Sequence, residues 1–550
     1  MNFKNFGKLL FGFTLIILFS GFFTGKDDTF YEINRNIDLF GKVYKEVTFD
    51  YVDKVDPSEF MKAGIKGMLS VLDPYTVYMD KENKEDIDLI TNGKYGGVGI
   101  SIGVRGDLVT IVEVMDGYSA QKQGVRIGDV LIEAAGKKIT PQNFEDVSSL
   151  VKGEPGTIVN LKVLRNGIKD TLSFNLVREE VKVKSLVYYG FYPANSNNVY
   201  LRLTSFSRSA GDEIQKALKE LKAQKEIKSV VLDLRGNPGG LLDVAVDIVD
   251  KFLPKGDLVV STKGRDEDSQ KSYYCTQAPM LGNARLAILI DGGSASASEI
   301  VTGAIQDHDR GIVVGTKSFG KGLVQTIVPL DYNASIKITT ARYYTPSGRC
   351  IQKIDYAKDN KAVSEEDSVI KGSYYTDHKR HVFGAGGITP DSTVTDLIEG
   401  DITKDLLAKG LFFQFADSYY YAHPKANLNS ITDNELMTDF EKYLKTQNYV
   451  FRSPEQKQVD NLLAVVKGKK GQDNIAAALE NINNEFSKLG STEMKTFRDE
   501  IIGQIKIELA DRYSGTKGEI EEELSYDDQF QTALKILNNV NEYNKILNLK

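Results

Sequence analysis

At 550 residues the chain is too long for one domain, and about three or four units are expected. Its 41% hydrophobic and 26% charged residues are those of an ordinary globular protein. A formal net charge of −7, with no clustered basic face, argues against nucleic acid as a partner.

The chain opens with Lys4 and Lys8 ahead of an apolar run over residues 9–23, and its first acidic residue is Asp27. A basic stretch before an apolar core reads as a secretory signal or a retained membrane anchor over residues 1–25. The expected address is therefore outside the cytoplasm, in the periplasm or cell envelope. Residues 26–90 read as helical: Ile33, Ile37, Phe40 and Val43, then Phe60, Ile65 and Met68, recur at helical steps. Asp73-Pro74 closes this region with a turn.

Residues 91–180 are dense in glycine. Short apolar runs at 98–102, 108–114, 130–134, 158–164 and 171–176 alternate with turns, which predicts a small β-rich module. Thr140-Pro141 opens a short helix with Phe144, Val147 and Leu150 on one face. Its glycine spacing, Gly97-x-Gly99-x-x-x-Gly103, fails the dinucleotide fingerprint.

Residues 181–395 alternate strands and helices, which predicts an α/β core. Strands are expected at 229–234, 286–290, 312–314, 324–328 and 336–340, and helices at 241–252 and 296–306. Residues 396–550 are polar and helical, with faces such as Leu462, Val465 and Val466, then Ile501, Ile505 and Leu509. They carry no recognisable chemistry and read as a helical packing or partner-binding domain.

Chemistry concentrates in three stretches of the α/β region. The first, Asp291-Gly-Gly-Ser-Ala-Ser-Ala-Ser-Glu299, lies between a buried strand and a helix. One serine there caps a helix, but three in five positions exceed that need. A nucleophile at a helix N-terminus meets backbone N–H groups able to stabilise an oxyanion. The second, Thr316-Lys-Ser-Phe-Gly-Lys-Gly-Leu-Val-Gln325, puts Lys321 between two glycines. In an extended segment Gln325 would lie beside it. A lysine is a general base only when neutral, and burial favours that form. The stretch is one residue from a phosphate-binding loop, but Gly322 stands where that loop needs Ser or Thr. The third, Asp233-Leu-Arg-Gly-Asn-Pro-Gly-Gly240, suits a type II turn with Gly239 at positive φ.

Other site chemistries are poorly supplied. There are two cysteines, Cys275 and Cys350, whose pairing is left open, and four histidines. Neither C-x-x-C nor H-E-x-x-H occurs, so no metal site and no cofactor are expected. His308 would stand roughly 18 Å along the helix from the serine run, at 1.5 Å per residue.

Together these stretches resemble the carboxyl-terminal processing, or tail-specific, proteases. The motifs that carry the resemblance are Leu72-Asp-Pro-Tyr75, Tyr95-Gly-Gly-Val-Gly-Ile100, Gly128-Asp-Val-Leu-Ile132, the 233–240 turn, the serine run, Phe319-Gly-Lys-Gly322 and Ala341-Arg-Tyr-Tyr-Thr-Pro-Ser-Gly348. The resemblance implies a multidomain α/β serine protease core with an inserted β-rich PDZ domain, a helical N-terminal segment and a helical C-terminal domain. It implies Ser296 as nucleophile, Lys321 as general base, Gln325 as the residue orienting that base, and an oxyanion hole from Ala297 with Gly239 or Gly240. Asp307 occupies an acidic position of the pattern. Tyr95, Gly96, Gly97, Val98, Gly99 and Ile100 match the PDZ loop that receives a C-terminal carboxylate. The implied partners are proteins or peptides with apolar C-terminal tails, and a homodimer or an adaptor protein is left open. The competing readings are a non-catalytic tail-binding scaffold and a serine hydrolase using His308.

Overall fold

The computed structural model describes residues 27–80, 92–265, 269–332, 334–356, 361–362, 373–395, 398 and 400–549. The signal or anchor expected over residues 1–25 lies outside them. Among the described residues, no helix is long and apolar enough to cross a membrane. The chain divides into two compact units, Met1–Asp80 with Gln325–Thr339, and Lys81–Val324 with Thr340–Lys550.

The first unit holds the two expected helices, Asp27–Asp50 and Pro57–Leu69. Asp56 caps the second, accepting from Ser58 N at 2.9 Å and Glu59 N at 3.0 Å, and Pro57 opens it where no N–H is needed. Tyr44 stacks on Phe60, but Phe30, Ile33, Ile37 and Val43 are exposed. Asp73 builds the turn by accepting from Tyr75 N and Thr76 N, each at 2.8 Å. Strand Val77–Met79 then pairs antiparallel with residues 335–337.

In the second unit the β-rich module is a sheet in the order Ile100–Arg105, Leu108–Val114, Val130–Ala134, Ile158–Leu164, Leu172–Val177. Ile111, Leu131, Leu161 and Leu176 fill its core with Val147 of helix Phe144–Val151. Ile100–Arg105 is an edge strand, so its outer backbone groups are open to pairing.

The α/β core is a six-stranded sheet in the order Leu186–Phe191, Asn198–Leu203, Ser229–Asp233, Arg285–Ile290, Ile312–Gly315, Ser392–Thr393. The first pair is antiparallel and the rest are parallel. Strand Ser229–Asp233 is buried at all five positions, as its continuous apolar run requires. Val230 and Leu232 face helices Ala210–Gln224, Leu242–Val249 and Ala297–Asp307. Val231 points the other way, as strand alternation demands.

That second face is covered by the C-terminus. Phe530, Ala533, Ile536, Leu537, Tyr543 and Leu547 pack on Val231, Ala287, Leu289 and Val314. Residues 396–550 therefore do not act as one helical body. Helices Asp401–Ala408, Leu411–Ala422, Asp433–Thr446 and the first half of Arg498–Tyr526 share their own core around Phe412, Phe415, Phe440 and Ile505. The final helices, Asp528–Asn538 and Val540–Ile546, are the second outer layer of the protease sheet. Each large apolar side chain buried there stabilises the fold by roughly 1.5–3 kcal/mol. Five of them approach the whole stability of a typical domain, about 5–15 kcal/mol. Ending the chain at Tyr526 is expected to give aggregated protein, read as loss of soluble yield and dye binding to exposed apolar surface. A soluble, cooperatively melting truncation would show that the sheet does not need this layer.

Candidate active site

The serine run forms a sharp elbow at the head of helix Ala297–Asp307. Ser296 has φ +55° and ψ −110°, a strained conformation for a residue with a side chain. Such strain costs about 1–3 kcal/mol and persists only where its surroundings enforce it. The three serines differ in their surroundings. Ser294 Oγ is buried and donates to Leu234 O at 2.8 Å. Ser298 Oγ is buried and donates to Asn237 O at 2.9 Å. Both are struts between the elbow and the 233–240 turn. Ser296 is only half-buried and stands between them.

The turn and the elbow touch through glycine. Gly239 has φ +99°, and a Cβ there would meet Ala295 O at 2.7 Å, Ala297 N at 2.8 Å and Ser296 Cβ at 3.0 Å. No other residue permits this approach. Buried Asn237 locks the turn: its Nδ2 donates to Leu203 O at 2.7 Å and its Oδ1 accepts from Gly239 N at 2.9 Å. Asn237 O also accepts from Ala295 N at 3.0 Å. The Gly239 amide is thus engaged. Among the described residues, the Gly240 and Ala297 amides have no acceptor.

One carboxylate joins the elbow to the lysine loop. Glu299, fully buried, accepts at Oε2 from Ser296 N and from Lys321 N, each at 2.9 Å. The two amide nitrogens therefore lie within twice that distance of each other. Oε1 accepts from Gly320 N at 2.7 Å and Ser318 Oγ at 2.6 Å. Burial pushes the Glu299 carboxyl up to about 7, against four donors that favour its ionised form. Tyr343 adds a second tie, its OH donating to Ser296 O at 3.2 Å and its N to Gly322 O at 3.0 Å. Glu299 and Tyr343 were not legible as site residues. The available signal was the spacing Ser296-Ala-Ser-Glu299, the S-x-x-E of a helix capping box.

Lys321 sits on the loop after strand Ile312–Gly315, half-buried, between Gly320 at φ +87° and Gly322. A Cβ on Gly322 would press on Gln352 N at 3.0 Å and Cys350 Sγ at 3.3 Å. Gln325 belongs to the first unit, where its Nε2 donates to Thr339 Oγ1 at 3.3 Å. Asp307 is buried and paired with buried Arg349 at 2.7 Å, so it is a structural ion pair. His308 is spent elsewhere: Nδ1 meets Asp377 Oδ2 and Nε2 meets Leu258 O, both at 2.8 Å. Cys275 and Cys350 are free thiols.

A cavity of about 1180 Å³ runs along the edge strand and the facing helix of the β-rich module, where Tyr95, Val98, Ile100 and Val151 line it, and is closed on its other side by Val187 and Glu213 of the protease core and Asp511 of the C-terminal helices. Gly99, at φ +80°, is packed on Tyr118, and a Cβ on Gly96 would collide with Gly153 O. Gly96 and Gly97 belong to strand Lys94–Gly97, paired with Glu179–Lys182, and not to the cavity wall. Val98 O and Gly99 O accept from Ala120 N and Met115 N at 3.0 and 2.9 Å, while among the described residues the Val98 and Gly99 amides have no acceptor.

A strained serine heading a buried helix on a parallel sheet, in one chain with a PDZ-type sheet, defines a serine peptidase with a peptide-binding module. Residues 197–362 match the model of peptidase family S41 and residues 110–165 that of the PDZ domain. Residues 23–83 match the activating protease CtpB N-terminal domain, and 402–537 a probable PDZ-protease C-terminal helical domain. The carboxy-terminal-processing protease of Bartonella bacilliformis is 38% identical over 349 residues, 63% of this chain and 79% of that protein. Carboxy-terminal processing protease CtpB of Bacillus subtilis is 33% identical over 324 residues, 58% and 67% of the two chains. Among solved structures, the photosystem II D1 C-terminal processing protease is 25% identical, covering 68% of this chain and 97% of its own, with a TM-score of 0.36. The chain belongs to peptidase family S41 and is a carboxy-terminal-processing serine protease with a PDZ domain and peptide or protein substrates.

Proposed function

We propose that this protease works by a Ser296–Lys321 dyad and selects substrates by an apolar C-terminal tail held on its PDZ domain. The observation that carries the reading is the shared Glu299 carboxylate, which fixes the backbones of Ser296 and Lys321 to one oxygen. Neutral Lys321 takes the Ser296 hydroxyl proton as Oγ attacks the scissile carbonyl. The Ala297 and Gly240 amides, both without acceptors, receive the oxyanion; Gly239, already donating to Asn237, does not. The proton on Lys321 passes to the leaving amine, and water then hydrolyses the acyl-enzyme. No metal or cofactor enters these steps.

The tail adds as a strand along Ile100–Arg105, with its carboxylate at the Val98 and Gly99 amides and its last side chain on Val98, Ile100 and Val151. The basic and apolar residues 4–23 favour action outside the cytoplasm. The test is hydrolysis of one unfolded protein bearing either an apolar or a charged C-terminus, with Ser296→Ala as the inactive control. Burying an apolar side chain is worth about 1.5–3 kcal/mol, so KM is expected to rise about 10-fold or more with the charged tail. Equal KM values for the two tails would remove the PDZ domain from substrate selection.

A further inference from the structure

The turn that carries Gly240 is held by a residue from the far end of the chain. Arg235 lies two residues beyond strand Ser229–Asp233. Its Nε donates to Asp233 Oδ1 at 3.0 Å and its Nη2 to Asp233 Oδ2 at 2.6 Å. The same Nη2 donates to Asp527 Oδ2 at 2.5 Å, and Nη1 donates to Gln529 Oε1 at 3.2 Å. Tyr200 donates its hydroxyl to Asp233 Oδ2 at 2.6 Å. Asp233, Asp527 and Gln529 are all buried. One guanidinium therefore joins two buried carboxylates, one from the sheet and one from the C-terminal layer.

Asp527 is itself fixed. Its Oδ1 accepts from Phe530 N at 2.8 Å as the cap of helix Asp528–Asn538, whose apolar side packs on Val231 and Leu289. This helix lies on the sheet face opposite helix Ala297–Asp307. On the other side of Arg235, the Gly236 amide donates to Asp291 Oδ1 at 2.8 Å. That oxygen also accepts from Gly293 N at 2.9 Å and Ser294 N at 3.1 Å. The chain of contacts runs from the C-terminal helix through Arg235 to the turn and on to the serine elbow.

We propose that Asp527 is a positioning residue for hydrolysis, setting the 235–240 turn, and with it the Gly240 amide, through Arg235. The C-terminal helical segment thereby completes the active site from behind the sheet. This rests on the reading of Gly240 as an oxyanion donor and Ser296 as the nucleophile. A displacement of the turn by a fraction of an ångström costs rate without touching the tail groove, because misplaced catalytic groups lose about 10- to 100-fold.

The test uses the full chain and two substitutions, Asp527→Asn and Asp527→Ser. Both side chains cap a helix as well as aspartate does, so the cap survives while the charge facing Arg235 is lost. Glu523→Gln is the control; it breaks the Arg202–Glu523 ion pair at 2.7 Å beside the same network, where Arg202 lies opposite Asp233 in the sheet but, among the described residues, makes no hydrogen bond to Arg235 or the turn, so it reports what a neighbouring charge alone does. Hydrolysis of a protein with an apolar tail and the rate of serine labelling by a fluorophosphonate are measured. The expected result is kcat and labelling both lowered about 10-fold or more in the two Asp527 variants, KM within about 2-fold, and the control unchanged. A kcat within about 2-fold of the parent in both variants, or an equal loss in Glu523→Gln, overturns the proposal. Hydrolysis by Ser296→Ala would overturn the nucleophile reading and this proposal with it.

Discussion

Replacing Lys321 by arginine is expected to leave a folded, tail-binding protein whose hydrolysis falls by about 10²–10⁴-fold, the usual contribution of a positioned base. The backbone contacts that shape the loop do not depend on which side chain stands at 321. The loop's path is set by backbone: Gly320 N and Lys321 N donate to Glu299, and Gly322 N donates to Gln352 Oε1 at 2.6 Å. None of these contacts involves the side chain at 321. Arginine, however, stays protonated at any pH the protein survives, so it cannot accept the serine proton. Single-turnover hydrolysis reports the chemical step, and binding of a fluorescent apolar-tailed peptide reports the intact groove. Retained turnover would take the lysine out of the mechanism. His308 would not be its obvious successor, since it ends an eleven-residue helix headed by Ser296 and both ring nitrogens are engaged. His308→Ala is accordingly expected to keep its turnover.

Much of this site could be read from residue order. The strands over residues 108–114, 130–134 and 158–164 stand where short apolar runs bounded by turn residues put them, because a run of that length between turns suits a partly buried strand. The elbow helix begins at Ala297, inside the small-residue run and one residue from its expected start, and carries Ile300, Val301 and Ile305 on its buried side. Gly239 earned its place through the type II turn, and its φ of +99° fits that need. What could not be read depends on pairing across the chain. Ser294, Ser296 and Ser298 are equivalent in sequence. They separate only when Leu234 O and Asn237 O arrive from 60 residues away to take two of the hydroxyls. The final helices have an apolar side like any amphipathic helix, and nothing local says that it covers Val231 and Leu289. Glu299 was hidden by its ordinary role: a glutamate three residues into a helix reads as a cap. Its second duty, to the amides of 320 and 321, is visible only in the fold.

Glu299→Gln is expected to lower turnover about 10²-fold and to change the pH dependence in a way no ordinary cap would. The carboxylate accepts four hydrogen bonds and donates none. A glutamine offers one oxygen and one NH2. With its oxygen toward Ser296 N and Lys321 N, the NH2 faces Gly320 N, two donors head to head, at a cost of about 1–3 kcal/mol. In the parent, the carboxyl is raised from its ordinary 4.5 to about 7 by burial. A carboxyl raised in the folded state holds its proton more tightly there than in the unfolded chain. Its contribution to stability is therefore present below about pH 4.5 and is lost as pH rises towards 7, on the order of 3 kcal/mol in all. Activity runs the other way. Protonation below about pH 7 puts a hydrogen on one of two oxygens that each already accept two hydrogen bonds, which disturbs either the amides of Ser296 and Lys321 or the loop residues before Lys321, so turnover falls as the pH drops. Stability and activity thus move in opposite directions across one titration. Melting temperature and kcat, followed together from pH 4.5 to 8, are expected to show these opposed slopes in the parent. In Glu299→Gln this group's share of both disappears. A parent whose stability is flat over that interval, or a variant whose activity matches it, would reduce Glu299 to a helix cap.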